Sequence, residues 1–403
     1  MILLQVCPRI PSPPNDGGAV YIYNTTKSLS ELGHTIIMAS FESNRHDQEK
    51  SDFKKYAEIH SKPINFKKYG FLAVLKSVLT WQPITVQHRM DLELMNSILS
   101  EIHVQPDIIL IEGIHCSRFI PQLRKKFRNT PIVLRQSNVE HLIYKRNAKR
   151  SKNILEKIFL FQQYFAMKRF ELTAMKTVDA VTAISEIDLG VFSNELPKLN
   201  YYVSSAGADL PSDPDTIVSR ESSTILMISH WTWRPNYDGL KWFLDNVWDS
   251  IRRRNPDIKL NIIGTGLSNK FISNYSRKNI DFLGFVQDLA PYRQRATIFL
   301  APLFSGSGIK LKILESLAFG IPTITTDIGK EGIRIEDGKN FILANTAKEF
   351  EESIQRLLND KELQSKLSIN AQTLIKDQYS WISITEGLAI FLESVISSSK
   401  DSY

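Results

Sequence analysis

The residues best placed to do chemistry lie between positions 300 and 332, in the stretch LAPLFSGSGIKLKILESLAFGIPTITTDIGKEG. A short apolar run ends at four small residues, 305–308, and apolar residues then recur at helical spacing up to Gly320. This order predicts a strand, a turn and a helix, with a second strand after Pro322. Small residues let the backbone approach a ligand, and the first N–H groups of a helix bind anions. The stretch therefore predicts an anion site.

Two lysines and a glutamate sharpen this prediction. Lys310 and Lys312 fall in the predicted first helical turn, where a cation opposes the helix dipole unless an anion is bound beside it. Glu315 follows close to one turn later, and its carboxylate can accept hydrogen bonds from sugar hydroxyls. The implied ligand is a phosphate attached to a sugar. The residues predicted to bind it are Gly306, Ser307, Gly308, Ile309 and Lys310, with Lys312 and Glu315 in the catalytic set.

Length and composition limit the class of protein. A chain of 403 residues is long enough for two domains, and 42% hydrophobic with 23% charged residues is typical of globular proteins. Cys7 and Cys116 show neither metal nor redox spacing, which indicates a reducing compartment. No run approaches 18 uncharged apolar residues, so we expect a cytoplasmic protein without a membrane span.

The net charge of +7 is unevenly distributed. Residues 1–212 carry 27 Lys and Arg against 20 Asp and Glu, whereas residues 213–403 carry 23 against 23. The first half alone is basic, which favours contact with an anionic membrane surface or nucleic acid. The absence of a recognised nucleic-acid-binding motif disfavours nucleic acid.

Buried strands alternate with helical segments throughout the chain, which predicts an α/β protein with parallel sheets. The first strand, Ile2–Val6, is followed by a loop rich in proline and glycine, a helix to about Leu32 and a strand over Thr35–Ala39. A polar, turn-rich stretch near Pro211 separates two such regions. The predicted domains are residues 1–205, a linker over 206–222, residues 223–376, and a C-terminal helix in 377–403.

Two pairs of glycines stand where strands end. Gly17 and Gly18 lie in the first strand-to-helix loop, at the sheet edge where parallel sheets bind ligands. Gly264 and Gly266 follow another predicted strand, but position 269, where a dinucleotide motif requires a third glycine, is asparagine. We expect Gly17 and Gly18 to bind a ligand. For the second pair, nucleotide contact and a tight turn are equally good interpretations.

The segment His230–Asn236, HWTWRPN, also leaves a strand end, and Pro235 suits the first turn of a helix. Arg234 is therefore expected at the same sheet edge as Lys310 and Lys312. A solvated arginine is the ordinary alternative. Three cations at one edge favour diphosphate binding, and they could take the place of a metal, so no metal site is predicted.

Residues 145–176 combine nine Lys and Arg with two acidic residues and many interleaved apolar residues. A basic amphipathic helix of this kind can lie on an anionic bilayer. An ordinary surface helix is an equally good interpretation, because part of the apolar face must pack on the sheet.

The stretch at 302–332, taken with WRPN, resembles the second domain of GT-B glycosyltransferases of the retaining group often called family 4, or group 1. It is most similar to bacterial enzymes of surface-polysaccharide synthesis, whose signature reads roughly PL-x-SGSGI-R-x-K-x-x-EA. The similarity continues through Gly17-Gly18, LRQSNVEHLIYKR at 134–146 and VTAISEID at 181–188. It implies two Rossmann-like, doubly wound domains facing a central cleft, with the C-terminal helix crossing back to the first domain.

The resemblance also implies a function. A nucleotide-diphosphate sugar would be the donor, with Lys312 and Arg234 on its diphosphate and Glu315 on its ribose. A glycan or lipid-linked acceptor would lie near Asn138, Glu140 and His141. The enzyme would need no metal and would work in the cytoplasm, peripherally at the inner face of the membrane.

Two positions depart from the family pattern, and alternatives of the same fold stay open. Ser307 stands where many relatives carry a second glutamate near the transferred sugar, and Ser137 stands where they carry a histidine. The alternatives are a sugar-nucleotide epimerase or hydrolase, which needs no acceptor, and a membrane-binding GT-B-like module without catalysis.

Overall fold

A computed structural model describes most of the chain, and its residues form two compact units. The first contains Met1–Ala206 together with Trp381–Tyr403, and the second contains Gly207–Ser380. The described residues are 1–14, 16–42, 52–64, 70–89, 91–211, 223–276, 279–306 and 308–400. The predicted boundaries were 205 and 377, and most of the predicted linker lies outside the described residues.

The first unit is built on a seven-stranded, wholly parallel sheet. Its strands are β1 (Ile2–Val6), β2 (Thr35–Glu42), β3 (Glu58–Pro63), β4 (Ile108–Glu112), β5 (Ile132–Gln136), β6 (Ala180–Ala183) and β7 (Asn200–Val203). The order across the sheet is β3-β2-β1-β4-β5-β6-β7. The strand order therefore reverses between β1 and β4, and sheets of this type bind ligands at such a point.

Nine α-helices belong to the first unit within the described residues. They are α1 (Gly17–Glu31), α2 (Phe71–Thr80), α3 (Ile84–Arg89), α4 (Leu92–Ser100), α5 (Ile120–Lys126), α6 (Glu140–Arg150), α7 (Ile154–Met175), α8 (Glu186–Glu195) and α17 (Trp381–Lys400). Two short 3-10 helices, Asp52–Lys55 and Ile114–Phe119, complete it.

The second unit repeats this plan with six parallel strands. They are β8 (Thr224–Ile228), β9 (Lys259–Ile263), β10 (Ile280–Gly284), β11 (Ile298–Ala301), β12 (Thr323–Thr325) and β13 (Ile342–Leu343). The order β10-β9-β8-β11-β12-β13 reverses between β8 and β11. The helices are α9 (Arg234–Phe243), α10 (Asp249–Arg254), α11 (Asn269–Tyr275), α12 (Ala290–Arg295), α13 (Leu311–Ala318), α14 (Asp327–Lys330), α15 (Ala347–Asn359) and α16 (Lys361–Gln378), with a π-helical turn at Leu244–Trp248.

The prediction of two α/β units with parallel sheets is confirmed, and the differences from it have physical reasons. β3 was missed because its sequence EIHSKP is polar and its residues are only partly buried, so no apolar run marks it. The segment 145–176 was treated as one helix but is divided between α6 and α7, because the chain is extended at Ser151 and Asn153 caps α7.

The last helix packs within the first unit. Leu388, Leu392 and Val395 of α17 are buried in a cluster that also contains Leu29 of α1 and Met38 of β2. The ring of Tyr202 stacks on Phe391 at a centroid distance of 4.9 Å. The stretch Lys361–Ser399 is long and apolar enough to meet a length-and-composition test for crossing a bilayer. A helix that packs in a protein core can pass the same test, and α17 buries one face in this way, so the test is weak evidence for a membrane span.

A buried polar network joins the carboxyl ends of three strands in the first unit. The Arg135 guanidinium donates from Nε and Nη2 to the two carboxylate oxygens of Glu112, at 2.9 and 2.8 Å. It also donates from Nη1 to Thr25 and lies 4.1 Å from the ring centroid of Tyr21. Gln5 donates to Glu112 at 2.6 Å. Because Arg135 and Glu112 are almost fully buried, each depends on the other for neutralisation.

We therefore expect Arg135→Met to lower the free energy of unfolding by about 3–5 kcal/mol, since it leaves the Glu112 charge buried and uncompensated. Urea unfolding monitored by circular dichroism measures this. Arg124→Met is the matched control, because the Arg124–Asp179 pair is partly exposed and should cost at most about 1 kcal/mol. Equal losses of stability in the two variants would contradict the conclusion that the buried Arg135 and Glu112 depend on each other for neutralisation.

Candidate functional site

The candidate site lies at the carboxyl edge of the second sheet, where the strand order reverses. Ser229 directly follows β8, and the loop through Gly306 and Gly308 follows β11. β8 and β11 are neighbours in the sheet, so these two loops emerge side by side. The loop after β11 leads into α13, whose first N–H groups face the same edge. The topology thus places an anion-binding helix start at the position where such sheets bind ligands.

Lys312, the second residue of α13, reaches across this edge. Its Nζ donates to the Ser229 hydroxyl at 2.7 Å and to the Asn236 side-chain oxygen at 2.5 Å. Asn236 is held in turn by a hydrogen bond from its Nδ2 to the carbonyl oxygen of His230 at 2.9 Å. Both partners of the ammonium are neutral oxygens. The geometry therefore orients the Lys312 cation without neutralising it.

This environment makes the Lys312 charge costly. Loss of solvent around the ammonium, together with repulsion from Lys310, lowers the pKa of Lys312 from 10.5 to about 7. A bound anion would act in the opposite direction, because a nearby negative charge favours the protonated form. A bound anion at this edge would therefore stabilise the charged form of Lys312.

Lys310 is used differently from the prediction. It precedes α13 as the N-cap residue instead of lying in the first turn, and its side chain is buried. The ammonium donates to the carbonyl oxygen of Gly308 at 2.6 Å and lies 3.7 Å from the Glu331 carboxylate. Contacts within the protein therefore compensate the Lys310 charge, which was predicted to oppose the helix dipole unless an anion bound. The same contact gives Glu331 a structural role as the partner of Lys310.

Glu315 has an internal partner as well. Its carboxylate accepts a hydrogen bond from Nη2 of Arg293, in α12, at 2.5 Å. The Arg293 guanidinium lies 5.1 Å from the centroid of the Phe319 ring, and its side chain is largely buried. About a third of the Glu315 side chain is exposed. Arg293 fixes the orientation of the carboxylate while leaving it accessible to a hydroxyl group.

Arg234 does not converge with the lysines in the way predicted. It is the first residue of α9, two positions before the Asn236 that contacts Lys312, so its backbone lies at the predicted edge. Its side chain, however, is 72% exposed and lies 3.6 Å from Asp238, one turn further along the helix. The charged end of a long arginine side chain stays in water when no anion binds it. A diphosphate role for Arg234 stays a prediction.

Glycines near the site allow neighbouring loops to pack closely against one another. A Cβ atom on Gly264 would lie 1.8 Å from the Ser229 carbonyl oxygen, and one on Gly266 would lie 2.7 Å from the Thr232 amide nitrogen. Both glycines also have positive φ angles. Packing against the loop after β8 thus accounts for this pair, which favours the tight-turn interpretation.

The small residues after β11 are also packed into the protein. Gly306 has a φ of +123°, and a Cβ atom there would lie 3.2 Å from the ring of Trp233. Gly308 has a φ of +68°, is buried, and is followed by the half-buried Ile309. Ser307, predicted to bind the ligand, lies outside the described residues.

Gly17 and Gly18 occupy the corresponding edge of the first sheet. They are the first two residues of α1, which follows β1 and is capped by the Asp16 carboxylate through the Ala19 amide at 3.1 Å. Both glycines are exposed, and a Cβ atom on Gly18 would meet nothing closer than 3.6 Å. Internal packing does not require glycine at position 18. A ligand-binding role for Gly17 and Gly18 stays a prediction.

The three residues predicted on the acceptor side lie at the start of α6. His141 is buried, and its Nδ1 lies 2.5 Å from the Glu171 carboxylate. The same carboxylate accepts the backbone N–H groups of Glu140 and His141 at 3.0 and 3.2 Å. Glu171 therefore caps α6 and fixes the histidine ring. Asn138 is half-buried beside Ser137, with 3.4 Å between the side-chain nitrogen and the hydroxyl oxygen.

Sequence reasoning missed three contributors to the site: Ser229, Asn236 and Arg293. Asn236 lies in the WRPN segment and Ser229 directly follows a strand, so their positions in the sequence could have placed both at the ligand-binding edge. Arg293 lies 22 residues before Glu315 and carried none. Within the described ranges, no group of three or more His, Cys, Asp or Glu side chains is arranged to hold a metal ion.

Solved structures of similar shape identify the fold. Sucrose-phosphate synthase from Thermosynechococcus elongatus superposes with a TM-score of 0.72 at 14% identity, covering 99% of this chain and 100% of its own. The Anabaena protein Alr3699/HepE, solved with UDP-glucose, gives a TM-score of 0.65 at 15% identity, covering 98% and 100%. The fold is therefore GT-B, the class that the two parallel-sheet units and the helix-start site define.

Sequence comparison identifies a domain in the second unit and relatives of the chain. Residues 222–360 match the family model described as Glycosyl transferases group 1. A Klebsiella pneumoniae protein named as an uncharacterized 44.6 kDa protein in cps region is 25% identical over 396 residues, covering 94% of this chain and 96% of that protein. An uncharacterized glycosyltransferase of Haemophilus influenzae is 23% identical over 51% of this chain and 58% of its own. Residues 222–360 therefore form a group 1 glycosyltransferase domain, and the named relatives support a transferase.

The pKa of Lys312 predicts a characteristic dependence of stability on pH. The unfolded chain holds the proton up to about pH 10.5, whereas the folded protein releases it near 7. Folding therefore penalises the charged form fully below pH 7, and the penalty declines as pH rises from 7 to 10.5.

We expect the wild type to gain stability relative to Lys312→Met over this range, by at most about 1 kcal/mol per pH unit because the side chain is only partly buried. Urea unfolding at pH 7, 8, 9 and 10 measures the difference. Lys339→Met, at an exposed lysine, is the control and should show no such trend. A difference in the free energy of unfolding between wild type and Lys312→Met that stays constant from pH 7 to pH 10 would contradict the lowered pKa of Lys312.

Proposed function

We propose that this enzyme transfers a sugar from a nucleotide-diphosphate sugar to a glycan or lipid-linked acceptor, with retention of configuration, during assembly of a cell-surface polysaccharide. The observation that carries the proposal is the Lys312 ammonium at the start of α13. Ser229 and Asn236 hold it, and among the described residues its hydrogen-bond partners include no carboxylate. A diphosphate supplies the negative charge that this position lacks.

The remaining site residues fit the other parts of such a donor. Glu315, oriented by Arg293, is placed to accept hydrogen bonds from ribose hydroxyls about one turn along α13 from Lys312. Arg234 is long and exposed enough to turn from Asp238 towards a diphosphate. The Anabaena structures with UDP and UDP-glucose show that this fold accommodates a nucleotide sugar in that protein.

The proposed chemistry is departure of a nucleoside diphosphate from the anomeric carbon. The bond between that carbon and the diphosphate oxygen breaks, a bond to the acceptor oxygen forms on the same face, and the acceptor proton leaves with the diphosphate. Negative charge grows on the departing oxygens, and the Lys312 ammonium and the first amides of α13 stabilise it. We propose that the Lys312 ammonium and these amides do the work that a metal does in other transferases, so that the reaction needs no metal.

Support for the biological setting comes from relatives. The Klebsiella relative is named for a cps region. A structural neighbour, WaaG, is described as a glycosyltransferase involved in lipopolysaccharide biosynthesis. We propose the same general setting for this protein, with the enzyme acting in the cytoplasm on a membrane-linked acceptor.

Nucleotide binding is the first test. We expect UDP, GDP or ADP, at 100 times its dissociation constant, to stabilise the protein by about 2.7 kcal/mol in thermal unfolding. Lys312→Met should weaken that nucleotide roughly 10- to 150-fold, because a charge-assisted hydrogen bond is lost. Lys339→Met is the control and should bind as the wild type does.

The outcomes separate the candidates. If none of the nucleotides stabilises the protein, the enzyme is not a nucleotide-sugar transferase. If a sugar nucleotide is consumed at the same rate with and without acceptor, the protein is an epimerase or hydrolase of the same fold. The anomeric configuration of the product, read by NMR, tests retention, and activity in EDTA tests independence from metal.

A further inference from the structure

Trp233 is a half-exposed aromatic side chain beside the candidate site. It is the N-cap residue of α9, in the loop that follows β8, and 44% of its surface is exposed. Trp231, two residues earlier, is buried, and its indole N–H donates to the carbonyl oxygen of Ile263 at 3.2 Å. A single exposed apolar side chain is common on protein surfaces, so its surroundings decide whether it has a function.

The loop that carries Trp233 is packed against a glycine on each side. A Cβ atom on Gly266 would lie 2.6 Å from Cγ2 of Thr232, so the loop after β9 fits closely against this residue. On the other side, a Cβ atom on Gly306 would lie 3.2 Å from Cη2 and 3.8 Å from Cζ2 of the Trp233 ring. The indole ring is thus held against the loop after β11 and forms a preorganised surface.

The first turn of α9 connects this ring to the Lys312 ammonium. Asn236 donates its backbone N–H to the Trp233 carbonyl oxygen at 3.0 Å, and its side-chain oxygen accepts from Nζ of Lys312 at 2.5 Å. Gly306, against which the ring packs, lies in the loop that leads into α13. The ring and the ammonium therefore lie at the same part of the carboxyl edge, where we propose that a diphosphate binds.

The order of groups along α13 indicates which part of a donor reaches the ring. Glu315 lies about 4.5 Å further along the helix axis than Lys312. Gly306, in contrast, lies before the helix starts. In a nucleotide-diphosphate sugar the diphosphate separates the ribose from the sugar to be transferred. With the ribose at Glu315 and the diphosphate at Lys312, the transferred sugar extends to the side where Trp233 lies.

The chemistry of a pyranose suits an aromatic surface of this kind. Its C–H groups form an apolar face, and its hydroxyl groups lie around the rim. The face of an indole ring is partially negative and the C–H hydrogens are partially positive, so the two rings attract each other besides burying apolar surface. A nucleobase also stacks on aromatic rings, but it is attached to the ribose and therefore lies beyond Glu315, away from Trp233.

We propose that the Trp233 ring is the stacking surface for the sugar that this enzyme transfers, and that this sugar is a pyranose. The proposal rests on the proposed function, because it takes the donor to be a nucleotide-diphosphate sugar. Selectivity among donors follows from the same contact. A sugar with one face free of axial hydroxyl groups stacks on the ring, whereas an axial hydroxyl group on that face keeps the two rings apart.

The test compares sugar nucleotides with the diphosphates that they contain. Isothermal titration calorimetry of the full chain measures the Kd of UDP, UDP-glucose and UDP-galactose, of GDP and GDP-mannose, and of ADP and ADP-glucose. The informative quantity is the ratio of the Kd of a sugar nucleotide to the Kd of its diphosphate. For at least one pair, Trp233→Ala should raise this ratio roughly tenfold, because the sugar contact is lost while the diphosphate contacts remain. Trp233→Phe keeps a smaller ring and should raise it roughly threefold or less.

Phe285→Ala is the matched control. Phe285 is 74% exposed and directly follows β10, two strands from β8 at the same edge of the sheet. Its removal should leave the ratio as it is in the wild type. Circular dichroism verifies that the three variants are folded.

The outcomes distinguish this inference from the proposed function. If the wild type binds none of these nucleotides, the proposed function and the inference fail together. If nucleotides bind but Trp233→Ala leaves the ratio unchanged, the ring supports the loop or contacts the nucleotide, and only the inference is overturned. An equal rise of the ratio in Phe285→Ala would overturn it as well.

Discussion

The Lys312 ammonium, withdrawn from water and held between two neutral oxygens, is the interaction on which the account depends. Ser229 and Asn236 fix the position of the charge, but neither can neutralise it, and Lys310 nearby makes it less stable. A protein that places a cation in this way loses stability unless an anion binds there. The position at a helix start and at the reversal of strand order favours a phosphate group as that anion.

The surrounding residues divide between supporting this cation and binding a ligand. Lys310 pairs with Glu331 and shapes the turn through the Gly308 carbonyl, so its charge is used within the protein. Gly264 lets the loop after β9 pack on the loop that carries Ser229. Arg293 orients Glu315 without covering it. We propose that Lys312 and the exposed part of Glu315 are the groups that contact a ligand, since the residues around them are paired within the protein.

Much of the fold could be predicted from the sequence because buried parallel strands are continuous apolar runs, as β8 and β9 are. The edge strand β3 could not be predicted in this way, because an edge strand does not need apolar residues on both faces. At the site, the residue types of the turn and the helix start could be read from the sequence, and a ligand-binding role for Lys312 was predicted from them. It could not reveal that Lys310 pairs with Glu331 or that Arg293 holds Glu315, because those contacts depend on how separate segments pack.

The central claim is most directly tested by NMR titration of the Lys312 side chain, with 13C-labelled lysine and Lys312→Met to assign the signal. The account predicts a pKa of about 7 in the free protein. With a saturating nucleoside diphosphate it predicts that the pKa of Lys312 rises, because the diphosphate stabilises the charged form. A pKa near 10.5 in the free protein, or one that the diphosphate leaves unchanged, would contradict the claim.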